Sequence, residues 1–187
     1  ATKIRTLAIT PALPSEQAAA FSTLRYGPVS KVLLQFDRRF WKRPHQPLAY
    51  GTNLPVGAVW DANERQKGRH GILCLMAGGQ ASRATKRLLS SSGVAGVVRC
   101  LRWLGPSGKQ ATAMHAVTWE NNPWVRGGYA VFGPGFDPAL PSWLARPCGR
   151  LFFAGEHTSL RWQGYMNGAV ESGLRVAAEI QAQLRGS

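Results

Sequence analysis

Near the C-terminal end, an apolar run, LFFA at 151–154, stands directly before Gly155 and Glu156. The segment HTSLRWQG then leads into a stretch that opens YMNG and carries apolar residues at helical spacing. An apolar strand, a glycine turn and a helix start placed so close together form a point where a ligand can meet backbone. Glycine admits close approach, and the first amides of a helix lack intrahelical partners, so they attract an anion or an electron-rich heteroatom. Taken alone the pattern is weak, because glycine precedes helices in many folds. A second candidate is Lys31, inside the run VSKVLLQF with Val29, Val32, Leu33, Leu34 and Phe36 around it. A buried ammonium needs a partner or a depressed pKa; strand alternation offers the other possibility, a lysine on the wet face.

The elements that must position these residues follow from periodicity. Residues 3–9 read as a strand ended by the prolines of TPALP. EQAAAFSTL reads as a short helix with Ser15 as N-cap and Glu16 in its first turn. VSKVLLQF reads as a buried strand, followed by an exposed turn, DRRFWKRPHQP, that holds two aromatics. NLPVGAVWD and GILCLMAGG read as strands, and QASRATKRLLSS as a helix with Leu88 and Leu89 inward. VAGVVRCLRWL is compatible with helix, GPSGK is a turn, and residues 111–119 form a further strand. Residues 120–150, rich in Gly and Pro, are expected to be loop with one short extended piece. RLFFAGEH is expected as a buried strand, and about 165–184 as a closing amphipathic helix.

Composition bounds the class. With 187 residues and 44% hydrophobic content, the chain builds a packed core. No apolar run reaches the roughly 18 residues of a membrane span, and the first residues are too weakly apolar for a signal peptide; a soluble protein, cytoplasmic or secreted after processing, is expected. Cys74, Cys100 and Cys148 are widely spaced without CxxC, which fits neither a disulfide framework nor a zinc site. The net charge of +14 raises nucleic-acid binding. The basic residues are scattered and no nucleic-acid motif contains them, so no nucleic-acid partner is expected.

The strings FAGEHTS and WQGYMNGAVESGLRVA closely resemble the C-terminal FAD-contact motif of the flavin amine oxidase family, which includes monoamine, polyamine and L-amino acid oxidases. The resemblance extends to PALPSEQAAAFSTLRYGPVSKVLLQFDRRFW and to WENNPWVRGGYAVFGPG, in family order, and is least distinctive over 60–110. The family's GxGxxG, which holds the ADP part of FAD, is missing. The resemblance therefore implies a C-terminal subunit or fragment: an α+β chain with a mixed-sheet substrate-domain portion at 1–145 and the last strand and helix of the FAD-binding domain at 146–187. An N-terminal half would complete it in a hetero-oligomer, and FAD would be held weakly without that half.

The resemblance also implies roles. Gly155 and Glu156 match the turn at the FAD diphosphate and ribityl region. Gly164, Tyr165 and Met166 match the motif at the flavin ring: the Met166 amide toward the N1–C2=O locus, the Gly164 carbonyl toward the substrate amine, and Tyr165 as a wall of an aromatic cage. Lys31 matches the lysine that holds a water near flavin N5 and assists reoxidation by O2, and Trp119 the tryptophan beside that water. Tyr129 matches a position that donates to the substrate carboxylate in amino acid oxidases and walls the cage in monoamine oxidases. Trp124 and Trp162 are candidates to line the pocket, and His157 is given no catalytic role. The implied reaction is oxidation of an L-amino acid to its imine, with O2 reduced to H2O2; simple amines are the alternative substrates.

Overall fold

The computed structural model describes residues 3–42, 44–45, 49–105 and 110–186. In chain order the elements are α1 (Ser15–Thr23), β1 (Arg25–Tyr26), β2 (Val29–Phe36), β3 (Ala49–Tyr50), β4 (Ala58–Asp61), β5 (Gly71–Gly78), α2 (Gly79–Arg99), β6 (Ala113–Thr118), β7 (Ala130–Val131), α3 (Leu140–Ala145) and α4 (Met166–Arg185). They fall into two compact units, Pro28–Asn122 and a discontinuous one made of Ala1–Gly27 with Pro123–Ser187.

The Pro28–Asn122 unit is a five-stranded sheet in the order β3-β4-β5-β2-β6. A mixed sheet was expected; every described pairing in it is antiparallel. The reason lies in the crossover: α2 carries the chain from β5 to β6 past β2, and β2 fills the space between them running the other way. Alternation along β2 sends Val32, Leu34 and Phe36 to one face, in register with Leu75, Leu73 and Gly71 of β5. Val97, Leu101 and Leu104 join that buried cluster. α2 extends into the stretch VAGVVRCLRWL as far as Arg99, joining two helices across a kink at Gly93, whose φ is 55°.

The aromatics of 37–47 are not both exposed as expected. Trp41 is buried, packing edge-on against Phe36 at 5.7 Å and Phe40 at 5.0 Å. Its indole donates to Asp61 Oδ2 at 3.2 Å, which satisfies the polar atom that would otherwise oppose burial. Gly71 makes the room, since a Cβ there would stand 2.4 Å from the Trp41 ring. The expected strand 53–61 shrinks to β4, because Gly57 closes a turn onto Leu54 O at 3.0 Å with φ of 66°. GPSGK lies mostly outside the described residues.

The second unit has a smaller core: Ala20, Phe21, Leu24 and Leu144, with Phe153 against Phe21 at a ring distance of 5.1 Å. Residues 3–9 do not form the expected strand. Ile4–Thr6 is a 3₁₀ turn held when Arg5 donates to Phe21 O at 2.7 Å and to Leu24 O, capping the end of α1. Ser15 is the first helical residue of α1, with Pro14 in the N-cap position. α3 interrupts the expected loop of 120–150, its proline placed in the first turn where the missing N–H costs nothing. RLFFAGEH was expected as a strand, yet only the isolated bridge Cys148–Leu151 forms, because no described strand lies alongside to complete a ladder. The Arg175 guanidinium of α4 binds Phe153 O at 2.8 Å, Ala145 O at 3.1 Å and Thr158 Oγ1 at 3.2 Å, tying the helix to α3 and to this segment.

α4 buries Gly168 and Ser172 on one side. On the opposite side it exposes Met166, Val170 and Leu174 at four-residue intervals, then Leu184 in line with them. No helix among the described residues is long and apolar enough to cross a membrane.

Candidate active site

Gly155 starts a tight turn over 156–158 and has φ of 135°. A Cβ there would meet the His157 ring at 2.6 Å, so both conformation and space require glycine. Its N–H donates to Ser172 Oγ at 2.9 Å, and its carbonyl accepts from Thr158 N at 2.9 Å and Thr158 Oγ1 at 2.8 Å. The amide expected at the cofactor diphosphate is thus engaged by α4. His157 is only 8% exposed, and burial lowers its pKa to about 4. Its Nδ1 lies 3.1 Å from the Tyr26 hydroxyl. Burial, then the nearby Glu156 charge, pushes the Tyr26 pKa up, so the phenol stays protonated and can donate to the neutral imidazole.

Glu156 joins two backbone segments. Oε1 accepts from Ala130 N at 2.9 Å and Oε2 from Gly164 N at 2.7 Å. Ala130 directly follows Tyr129 and pairs with Tyr26 across the β1–β7 ribbon. Gly164, with φ of 78°, directly precedes Tyr165 and Met166 at the start of α4. The turn before it is held by Ser159 Oγ, which accepts from Trp162 N at 3.0 Å and Arg161 N at 3.3 Å. Trp162 and Tyr165 meet edge-on at 6.2 Å, and Gly168 packs so closely that a Cβ would stand 2.2 Å from Trp162 O.

The result is a helix start with no side-chain cap, where Tyr165 is 64% and Met166 86% exposed. Space is open around Gly164, where a Cβ would meet nothing within 4 Å. Exposed first-turn amides carry the positive end of a 20-residue helix dipole, which suits the electron-rich edge of a heterocycle that gains negative charge. These residues fit a flavin ring. Trp124, 74% exposed, has the Lys3 ammonium 5.4 Å from its ring centroid.

Lys31 and Trp119 belong to the other unit. Lys31 sits on the face of β2 opposite the buried cluster, half-buried with Leu33 and Gln35, in register with Met76 of β5 and Val117 of β6. Alternation therefore decided its placement, on a face that is neither core nor fully wet. Its charge acts on the buried Cys74 thiol, whose pKa burial raises and Lys31 opposes. Trp119 follows β6 immediately, and Glu120 beyond it pairs with Lys86 of α2 at 2.6 Å.

The structure thus ties Ala130 and Gly164, the neighbours of Tyr129 and Tyr165, to the Glu156 carboxylate by hydrogen bonds, ties Gly155 to Ser172 and Thr158, and sets Lys31 and the residue before Trp119 on neighbouring strands. Sequence reasoning missed Ser172, Ser159 and Tyr26 as supports of the turn. Among the described residues, no group of three or more His, Cys, Asp or Glu is placed to hold a metal ion.

Residues 1–181 match the family profile described as flavin containing amine oxidoreductase. Amine oxidase [flavin-containing] A of Sus scrofa is 30% identical over 183 residues, 91% of this chain and 33% of that protein. A putative L-amino-acid oxidase of Bacillus subtilis (strain 168) is 28% identical over 86% of this chain and 34% of its own length. The fold matches cyclohexylamine oxidase from Brevibacterium oxydans IH-35A with a TM-score of 0.86 at 24% identity, over 97% of this chain and 41% of that one. The chain spans about a third of the length of these curated relatives. It belongs to the flavin-containing amine oxidoreductase family, whose cofactor is FAD.

Proposed function

We propose that this chain is the C-terminal portion of an FAD-dependent L-amino acid oxidase, completed by an N-terminal half that carries the dinucleotide-binding motif. The observation that carries the reading is the uncapped, exposed start of α4 at Gly164-Tyr165-Met166, inside a chain matched to the family over 1–181. Support for a partner half comes from the missing GxGxxG and from the apolar side of α4, which nothing described covers.

FAD, when bound, supplies the two-electron acceptor; overall, amino acid, water and O2 give keto acid, ammonia and H2O2. The residues of this chain bind and orient. The Met166 amide would hold the electron-rich edge of the flavin ring, and Gly155 and Glu156 would support its ribityl and diphosphate end. The Gly164 carbonyl accepts from the substrate amine, which must be neutral to lose hydride. Tyr165 and Trp124 wall the substrate, and the Tyr129 phenol donates to its carboxylate. Lys31 holds a water where O2 reacts, with Trp119 beside it. A second reading, a simple amine as substrate, is favoured by the printed names of several relatives.

The test supplies the N-terminal half and assays peroxide release from L-amino acids and from the corresponding decarboxylated amines. Peroxide from amino acids supports the reading; oxidation of amines alone removes the substrate class but leaves the oxidase. A complex without flavin or peroxide removes both. Lys31→Met is expected to slow reoxidation by O2, followed by stopped flow, more than it weakens amine binding, and equal O2 reactivity would remove the role of Lys31.

A further inference from the structure

The carboxylate of Glu156 bonds both the segment that follows Tyr129 and the turn that precedes Tyr165. Each oxygen holds a different amide, one residue after Tyr129 and one residue before Tyr165. We propose that Glu156 is a positioning residue that sets the separation of Tyr129 and Tyr165, and hence the width of the substrate cage. This rests on the reading of the two tyrosines as substrate-facing.

The geometry argues for adjustment rather than mere support. Both bonds end on backbone, so each fixes where a segment sits without restraining the tyrosine side chain next to it. Carboxylate–amide bonds are short and charge-assisted, and a bond of this kind resists sliding of a segment more than a neutral contact does. Independent anchors hold Glu156 itself. On one side Gly155 is bonded to Ser172, and on the other the His157 ring meets the Tyr26 hydroxyl. Tyr26 in turn is the ladder partner of Ala130, so the start of β7, directly after Tyr129, is tied to the turn at two points. The Tyr165 side has Glu156 and the Ser159 turn. A change in the length or charge of residue 156 therefore moves the two cage residues relative to each other while their own elements persist.

The chain has four tyrosines, Tyr26, Tyr50, Tyr129 and Tyr165, so labelling the 187-residue chain with 3-fluorotyrosine yields four assignable ¹⁹F resonances. Tyr50 lies in the other unit and reports whether that unit persists, while Tyr26, the ladder partner of Ala130, reports whether the β1–β7 ribbon does. In Glu156→Ala, both the Tyr129 and Tyr165 resonances are expected to move, with hydrogen exchange at Ala130 N and Gly164 N faster by about ten- to a hundredfold and Tyr50 unchanged. Glu156→Gln keeps the shape but offers one acceptor oxygen, its amide group facing the other N–H. It is expected to free one amide and move one tyrosine. That graded response, one ring with Gln and two with Ala, is what a general structural role does not produce. The proposal is overturned if both rings stay in place in Glu156→Ala, or if Tyr50 collapses with them in both variants. Because the readout is geometric, it is independent of turnover: absence of peroxide in the assembled enzyme defeats the oxidase reading, while unmoved rings defeat only the role of Glu156.

Discussion

The two units of the chain solve burial differently. The Pro28–Asn122 unit fills one face of its sheet with a cluster that includes Phe36, Leu34, Leu73 and Val97 at essentially zero exposure. Among the described residues, the other unit buries only four apolar residues at the centre of its core, and fourteen of the seventeen exposed large hydrophobic side chains lie within it. Five of those are on α4 alone. A sheet closed by its own crossover helix finds its partners within about ninety residues of chain. The second unit instead spreads its elements over both ends of the sequence and leaves one helix side and one unpaired extended segment uncovered. The open helix start follows the same division, because it is available only where the packing is incomplete, whereas Lys31 and Trp119 belong to the closed unit.

The largest expected effect tests the closed unit. Phe36→Ala removes a fully buried ring and is expected to cost about 3–5 kcal/mol in urea unfolding; a loss under ~1 kcal/mol would mean that the sheet core is not what holds this unit. The next concerns His157 in the open unit. Its folded pKa, about 4, lies below the ordinary 6.5, so the neutral ring is favoured by folding. That contribution is complete above about pH 6.5 and is lost as the pH falls toward 4, because the unfolded chain then binds a proton that the folded one refuses; at most it amounts to ~3 kcal/mol. Unfolding measured at several pH values is expected to be flatter for His157→Gln than for the parent across that window. Equal slopes would mean that the ring is solvated.

A smaller effect belongs to substrate recognition. In the assembled enzyme, Tyr129→Phe is expected to cost about 1.5–3 kcal/mol in kcat/KM for an L-amino acid and much less for the decarboxylated amine. Unchanged amino acid turnover would move the substrate class to simple amines. The smallest effect on stability is expected at Leu174→Ser, within about 0.5 kcal/mol for the chain alone, since this leucine is 69% exposed. The same change is expected to weaken capture by the N-terminal half. If it destabilises the isolated chain strongly, the open side of α4 is not open.

Much of this was legible in the residues. β2 covers the run VSKVLLQF and β5 nearly all of GILCLMAGG, because short runs rich in β-branched and apolar residues between turn signals favour a strand, and α4 follows from its 3.6-residue period. The turn at Gly155 and the helix start after it were readable from glycine placement. Where reading failed, the deciding partner was distant in sequence. Residues 3–9 alternate like a strand, yet Arg5 finds the carbonyl groups at the end of α1 and the segment coils there. LFFA has the composition of a strand, but strand is a property of a ladder, and no described neighbour supplies one. Trp41 looked like surface because it sits among charges; Asp61, twenty residues on, accepts from its indole and lets it be buried. The same reason separates what the sequence determined about the site from what only tertiary structure decided. Spacing nominated the Gly155 turn and the helix start after Gly164, and the family resemblance nominated Glu156, Tyr129, Gly164 and Tyr165 singly. That one carboxylate bonds the amide just after Tyr129 and the amide just before Tyr165 depends on groups 26 residues before it and 8 after it, and backbone amides carry no residue identity that a sequence can display.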